Sequence, residues 1–136
     1  MIVDTSALVA LFLKEDGHIM IARALSYENS FLIAPALVEF HRVTSGFNNI
    51  PRPEAVEIIE NYRSGRMAVI PFELEDAELA VAANSIFGSG NERGGKLNMT
   101  DLMVYAAAKA RDLPILCTGK DFTSTDSKIH PASRRG

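Results

Sequence analysis

Short apolar runs alternate with longer amphipathic ones along this chain, and that alternation restricts the fold more than any other property. Ile2-Val3, Phe31-Leu32-Ile33-Ala34, Met67-Ala68-Val69-Ile70 and Leu113-Pro114-Ile115-Leu116-Cys117 are the short runs. The segments between them carry apolar residues at helical spacing. Strands separated by helices predict an α/β domain built on a parallel sheet. At 136 residues the chain has the length of one such domain. It can bury roughly two-thirds of the surface its unfolded form exposes, so neither a disulfide nor a metal is needed merely to fold it.

The helices are marked by their ends. Asp4-Thr5-Ser6 can stop the first strand and cap a helix carrying Leu8, Leu11 and Phe12. A second helix follows Glu15-Asp16-Gly17 to about Tyr27. Pro35 opens a third over about 36–45, with Ala36, Phe40 and Val43 on one face. Pro53 opens a fourth, ended by Ser64-Gly65, and Leu74 to about Phe87 forms a fifth with an acidic first turn. Gly88 to Gly95 is the one clear loop, expected to be flexible. Thr100 is placed to cap a helix running to about Arg111, and the polar tail after Ile129 is expected to be mobile.

Composition removes several classes. Cys117 is the only cysteine, which excludes an internal disulfide and fits a reducing, cytoplasmic setting. No apolar run approaches the ~20 residues of a membrane helix, and Asp4 stands where a signal peptide would be basic. The net charge is −3, but residues 1–87 carry 6 basic and 12 acidic side chains, while residues 88–136 carry 8 and 5. There is no Gly-x-Ser-x-Gly elbow, Walker loop or Gly-x-Gly-x-x-Gly after a strand. Cys117 reads as inert core, His18, His41 and His130 as structural or surface residues, and Met20, Met99 and Met103 as core packing.

Most of the acids have ordinary explanations. Glu73, Glu75, Asp76 and Glu78 lie where a helix dipole favours negative charge, and Glu54, Glu57 and Glu60 belong to a solvated face. Four others stand out. Asp4 and Asp121 each follow a strand, the position where open α/β sheets bind ligands. Glu39 shares a helical face with Ala36, Phe40 and Val43, and a carboxylate there is costly unless paired or bound to a cation. Asp101 opens a helix that is apolar almost all round. Each has a plain alternative: an N-cap for Asp4 and Asp101, an ion pair for Glu39, a turn for Asp121. If they converge, mutual repulsion requires a neutralising cation. Oxygen-only donors select a hard divalent ion, Mg²⁺ or Mn²⁺, of the kind that serves phosphoryl chemistry.

Met1-Ile2-Val3-Asp4-Thr5-Ser6-Ala7-Leu8, Pro35-Ala36-Leu37-Val38-Glu39, Leu97-Asn98-Met99-Thr100-Asp101 and Gly119-Lys120-Asp121-Phe122 together resemble the PIN-domain ribonucleases, most closely the VapC toxins of bacterial toxin–antitoxin pairs. The resemblance spans about residues 1 to 126. It implies a single PIN domain over 1–136, an α/β/α sandwich whose central parallel sheet has four to five strands. It also implies Mg²⁺- or Mn²⁺-dependent cleavage of RNA to a 5′-phosphate and a 3′-hydroxyl. In that reading Asp4, Asp101 and Asp121 are metal ligands, and Glu39 binds through water or completes a second metal site. Ser6 orients the first aspartate, and Asp126 is an auxiliary acid. Arg93, Lys96 and Lys120 are candidates to grip RNA phosphates. A cognate antitoxin and a homodimer are the implied partners.

The chain departs from its relatives at Thr100, where many have glycine, at Lys120, where an acid or amide is common, and at Glu92-Arg93-Gly94-Gly95, where a His-Pro-Ala stretch is frequent. Two other classes compete. A haloacid-dehalogenase-type phosphatase also places an aspartate after its first strand, but needs another two positions on, where this chain has Ser6. A noncatalytic module of the same fold would use the acidic pocket to hold a basic partner.

Overall fold

The structure, a computed structural model, describes residues 1–133. Four strands, β1 (Ile2–Val3), β2 (Ser30–Ile33), β3 (Met67–Ile70) and β4 (Ile115–Leu116), form one sheet. Their order is β3-β2-β1-β4 and every pairing is parallel. Among the described residues six helices surround it: α1 (Thr5–Leu13), α2 (His18–Tyr27), α3 (Ala34–Thr44), α4 (Pro53–Arg63), α5 (Leu74–Phe87) and α6 (Met99–Arg111). β1 and β4 are two residues each: Ile2 and Val3 are fully buried and align with Ile115 and Leu116. The expected strand at 113–117 contracts to those two residues.

β1 lies between β2 and β4, so it is buried on both faces, as parallel sheets require. Ala7, Leu8 and Ala10 of α1, Ile21 and Leu25 of α2, and Ala36 and Phe40 of α3 join its core. α6 buries Leu102 and the run Val104–Ala108, as its apolar sequence implies. Cys117 is likewise core.

Several expectations change. Val43 is 60% exposed, and Thr44 takes the buried place with Ala36 and Phe40. The true stripe is i, i+4, i+8, which leaves Glu39 at its half-buried edge. Met20 and Met99 are exposed rather than core, while Met103 packs against the core. Asn98, not Thr100, caps α6. Asp76 does more than complement a dipole: it is buried, completes the capping box of α5 and receives Arg111 Nη1 at 2.9 Å.

The loop between α5 and α6 is crossed by hydrogen bonds from Asn91. Asn91 Nδ2 donates to the Ser85 and Ile86 carbonyls, and its Oδ1 accepts the Arg93 and Gly95 N–H groups. A Cβ on Gly95 would stand 2.2 Å from the Gly88 carbonyl oxygen, so this close crossing needs glycine. The tail is also fastened. Ile129 bridges to Ile115, and His130 N–H donates to the Ile115 carbonyl. His130 is only 8% exposed; its Nδ1 accepts the Ala132 N–H, so Nε2 carries the proton given to Glu28 at 2.9 Å. The rest of the expected mobile tail, residues 134–136, lies outside the described residues.

Candidate functional site

A helix that leads into a parallel strand starts at the carboxyl edge of the sheet, and a loop that leaves a strand starts there too. Four carboxylates occupy this edge. Asp4 follows β1 and is 5% exposed. Glu39 lies in α3, which begins directly after β2. Asp101 is in the first turn of α6, and Asp121 begins a 3-10 turn, Asp121–Ser124, after β4.

Asp4 is held by one oxygen. Its Oδ2 accepts the Ser6 N–H at 3.0 Å and the Ser6 hydroxyl at 2.5 Å. Ser6 Oγ in turn accepts the Thr118 N–H at 2.9 Å, so the same hydroxyl ties the first strand's end to the loop carrying Asp121. Asp4 Oδ1 is buried without a hydrogen-bond partner. Such an oxygen is costly unless something positive meets it.

The electrostatics bind the four acids into one group. Burial pushes Asp4 up to about 6; the Ser6 hydrogen bonds oppose this and the Glu39 charge adds to it. Burial, and then the Asp4 charge, push Asp101 up to about 7, with further contributions from Asp121 and Glu39. Asp101 is also locked in place. Its Oδ2 accepts the Asn98 N–H at 3.1 Å while its own N–H donates to Asn98 Oδ1 at 2.9 Å. Among the described residues, no three acids, histidines or cysteines are gathered tightly enough to enclose an ion as they stand. The donor set nevertheless fits a hard divalent cation: an orphaned carboxylate oxygen, three more carboxylates in electrostatic contact, and no thiolate or imidazole.

Asp126 is not brought into this group. Tyr105 Oη donates to its Oδ1 at 2.5 Å and Lys109 Nζ to its Oδ2 at 2.6 Å. Those contacts hold its carboxyl below the ordinary range. Arg93, Lys96 and Lys120 are exposed, and their side chains form no ion pair among the described residues. The Asn98–Asp101 capping box was open to sequence reading through its N-x-x-D spacing. The Thr118 contact with Ser6 was not, because nothing local signals it.

Comparison with known proteins bears on the family and the fold. Ribonuclease VapC42 of Mycobacterium tuberculosis is 34% identical over 134 residues, covering 97% of this chain and 98% of that protein. The crystal structure of VapC20 of the same organism, described as a Sarcin-Ricin loop cleaving toxin, superimposes with a TM-score of 0.72 at 17% identity, covering 96% and 98%. A toxin–antitoxin complex from Klebsiella pneumoniae gives a TM-score of 0.65 at 18% identity, covering 96% of each chain. The PIN domain family model matches residues 1–128. On that match and the near full-length relatives, the chain belongs to the PIN domain family.

Proposed function

We propose that this protein is an endoribonuclease of the VapC type, the toxin of a toxin–antitoxin pair, and that it needs Mg²⁺ or Mn²⁺. The observation that carries the reading is the set of four acids at the sheet's carboxyl edge, with Asp4 Oδ1 buried and unpartnered. The near full-length similarity to Ribonuclease VapC42 supports the substrate class. The whole chain acts as one PIN unit, as a homodimer, in the cytoplasm where its RNA is. A cognate antitoxin restrains it; the toxin–antitoxin complex among the structural neighbours supports such a partner. No helix of the described residues is long and apolar enough to cross a membrane.

Asp4, Asp101 and Asp121 are the proposed metal ligands, with Glu39 contacting through water or completing a second site. When bound, the ion lowers the pKa of water and offsets charge on the leaving oxygen. The chain's own groups prepare that chemistry. Ser6 occupies Asp4 Oδ2 and leaves Oδ1 for the cation. Asn98 fixes the backbone from which Asp101 projects. Arg93, Lys96 and Lys120 supply positive charge around the acidic centre and are the proposed phosphate contacts. Water adds to phosphorus and the 3′ oxygen leaves, giving a 5′-phosphate and a 3′-hydroxyl.

The test is cleavage of total cellular RNA by antitoxin-free protein, with Mg²⁺ or Mn²⁺ against EDTA, beside folded Asp4→Asn. Discrete metal-dependent fragments that disappear in the variant are expected. No cleavage with either metal would overturn the enzymatic reading.

A further inference from the structure

Asp126 is the one motif acid that the site does not absorb, and both its oxygens are committed to α6. Asp101, Tyr105 and Lys109 stand at i, i+4 and i+8, along one side of that helix. Tyr105 and Lys109 grip Asp126 at 2.5 and 2.6 Å. Asp126 follows Asp121 by five residues in the chain, and the segment between them is compact. Phe122 is buried, Thr125 Oγ1 donates to the Phe122 carbonyl at 2.7 Å, and the same hydroxyl accepts the Ser127 N–H. The turn that carries Asp121 is therefore anchored twice, by Phe122 in the core and by Asp126 on the helix that carries Asp101.

We propose that Asp126 is a positioning residue: held by Tyr105 and Lys109, it fixes the Asp121 turn against α6 and so sets the placement of Asp121 relative to Asp101. The proposal rests on the reading above, in which Asp101 and Asp121 serve one divalent-metal centre. Stability is a poor explanation for the Lys109 half of the contact. The Lys109 and Asp126 side chains are 47% and 53% exposed, and ion pairs so exposed contribute little. Geometry is what two oxygens held by two successive helical turns can enforce. Burial, and then the Asp126 carboxylate, push the Tyr105 hydroxyl up, which keeps it a donor.

Calorimetric titration with Mn²⁺ at pH 7.5 tests this, using wild type, D101N, Y105F, D126N, K109A and K109R. The wild type binds and D101N loses binding. Y105F, D126N and K109A weaken affinity by about 10-fold, the usual effect of removing a group that supports a ligand. K109R, which keeps the ion pair, stays near wild type. Wild-type affinity in Y105F and D126N overturns the proposal. If D126N does not fold, Y105F decides, since it keeps the buried ring. Failure of the metal-centre reading looks different: the wild type does not bind, or D101N binds equally well, and the proposal falls with it.

Discussion

Ser6 and Thr118 stand 112 residues apart in sequence, yet the Thr118 N–H donates to the hydroxyl that Ser6 gives to Asp4. Removing that hydroxyl has two effects. Ser6→Ala takes away a hydrogen bond that lowers the Asp4 pKa, so the carboxyl moves further above about 6. It also strands the Thr118 N–H, costing about 1–3 kcal/mol. The acid limb of the pH–rate profile shifts upward, with activity at pH 6.5 falling more than at pH 8.5. Ser6→Thr, which keeps the hydroxyl, stays close to wild type. An acid limb unmoved in Ser6→Ala would show that this bond does not tune Asp4.

Asp4 also makes stability depend on pH. Its folded pKa of about 6 lies above the ordinary 3.8, so the folded state holds this proton more tightly than the unfolded state does. The contribution is fully present below pH ~4 and is lost as pH rises through about 6; the shift corresponds to ~3 kcal/mol. Asp101 acts in the same direction, with a folded value of about 7. In EDTA, the urea midpoint of wild type falls between pH 4 and pH 7.5. Asp4→Asn has a shallower fall but not a flat one, because Asp101 remains. A slope equal to wild type in the variant would contradict the assignment.

Metal should reverse that loss. At pH 7.5, Mg²⁺ at 100 times its dissociation constant stabilises by ~2.7 kcal/mol through mass action. Thermal melts with Mg²⁺ against EDTA will show a raised Tm in wild type and a smaller rise in Asp4→Asn. Equal responses in the two proteins would move the ion away from Asp4.

Arg111 clamps α6 to α5 through Asp76, which is buried and paired at 2.9 Å. Burial alone would raise the Asp76 pKa, but the Arg111 hydrogen bond and the Glu73 N–H outweigh it and the net shift is downward. Arg111→Ala leaves a buried carboxylate without its partner and costs about 3 kcal/mol. Asp76→Asn combined with Arg111→Ala costs less than the sum of the two. Chemical denaturation of the four proteins checks this, and strict additivity would mean that the pair is energetically idle.

Arg93 and Lys96 sit on a loop held by Asn91 and project no closer partner than solvent among the described residues. If they meet phosphates, replacing both with Ala lowers the salt slope for single-stranded RNA by ~1.4, about 0.7 per contact. Binding measured from 50 to 300 mM salt decides it. An unchanged slope removes both residues from the RNA path.

The alternation of apolar runs carried the fold, because strands of a parallel sheet covered by helices are nearly all apolar, Ser30 being the exception in β2. Asp4, Glu39, Asp101 and Asp121 could be singled out in the sequence by their places: after a strand, on an apolar helix face, or at the start of an apolar helix. What escaped depends on distant partners. Val43 fits a helical stripe as well as Thr44 does, and only the facing elements choose between them. Asp126 resembles a site acid in sequence because Tyr105 and Lys109, which claim it, lie 21 and 17 residues away. The tail looked free because His130 meets Glu28 across 102 residues.

The central place of β1 has one more consequence. Its two residues pair with β4 at Ile115 and Leu116, so the edge from which Asp4 projects is complete only once the chain has been made through Leu116. A ribosome part-way through this message carries a nascent chain with Asp4 and Glu39 but neither Asp121 nor the strand that precedes it. Until Leu116 and Asp121 have been made, the partial chain cannot assemble the four-acid edge, so the site forms late in the order of synthesis.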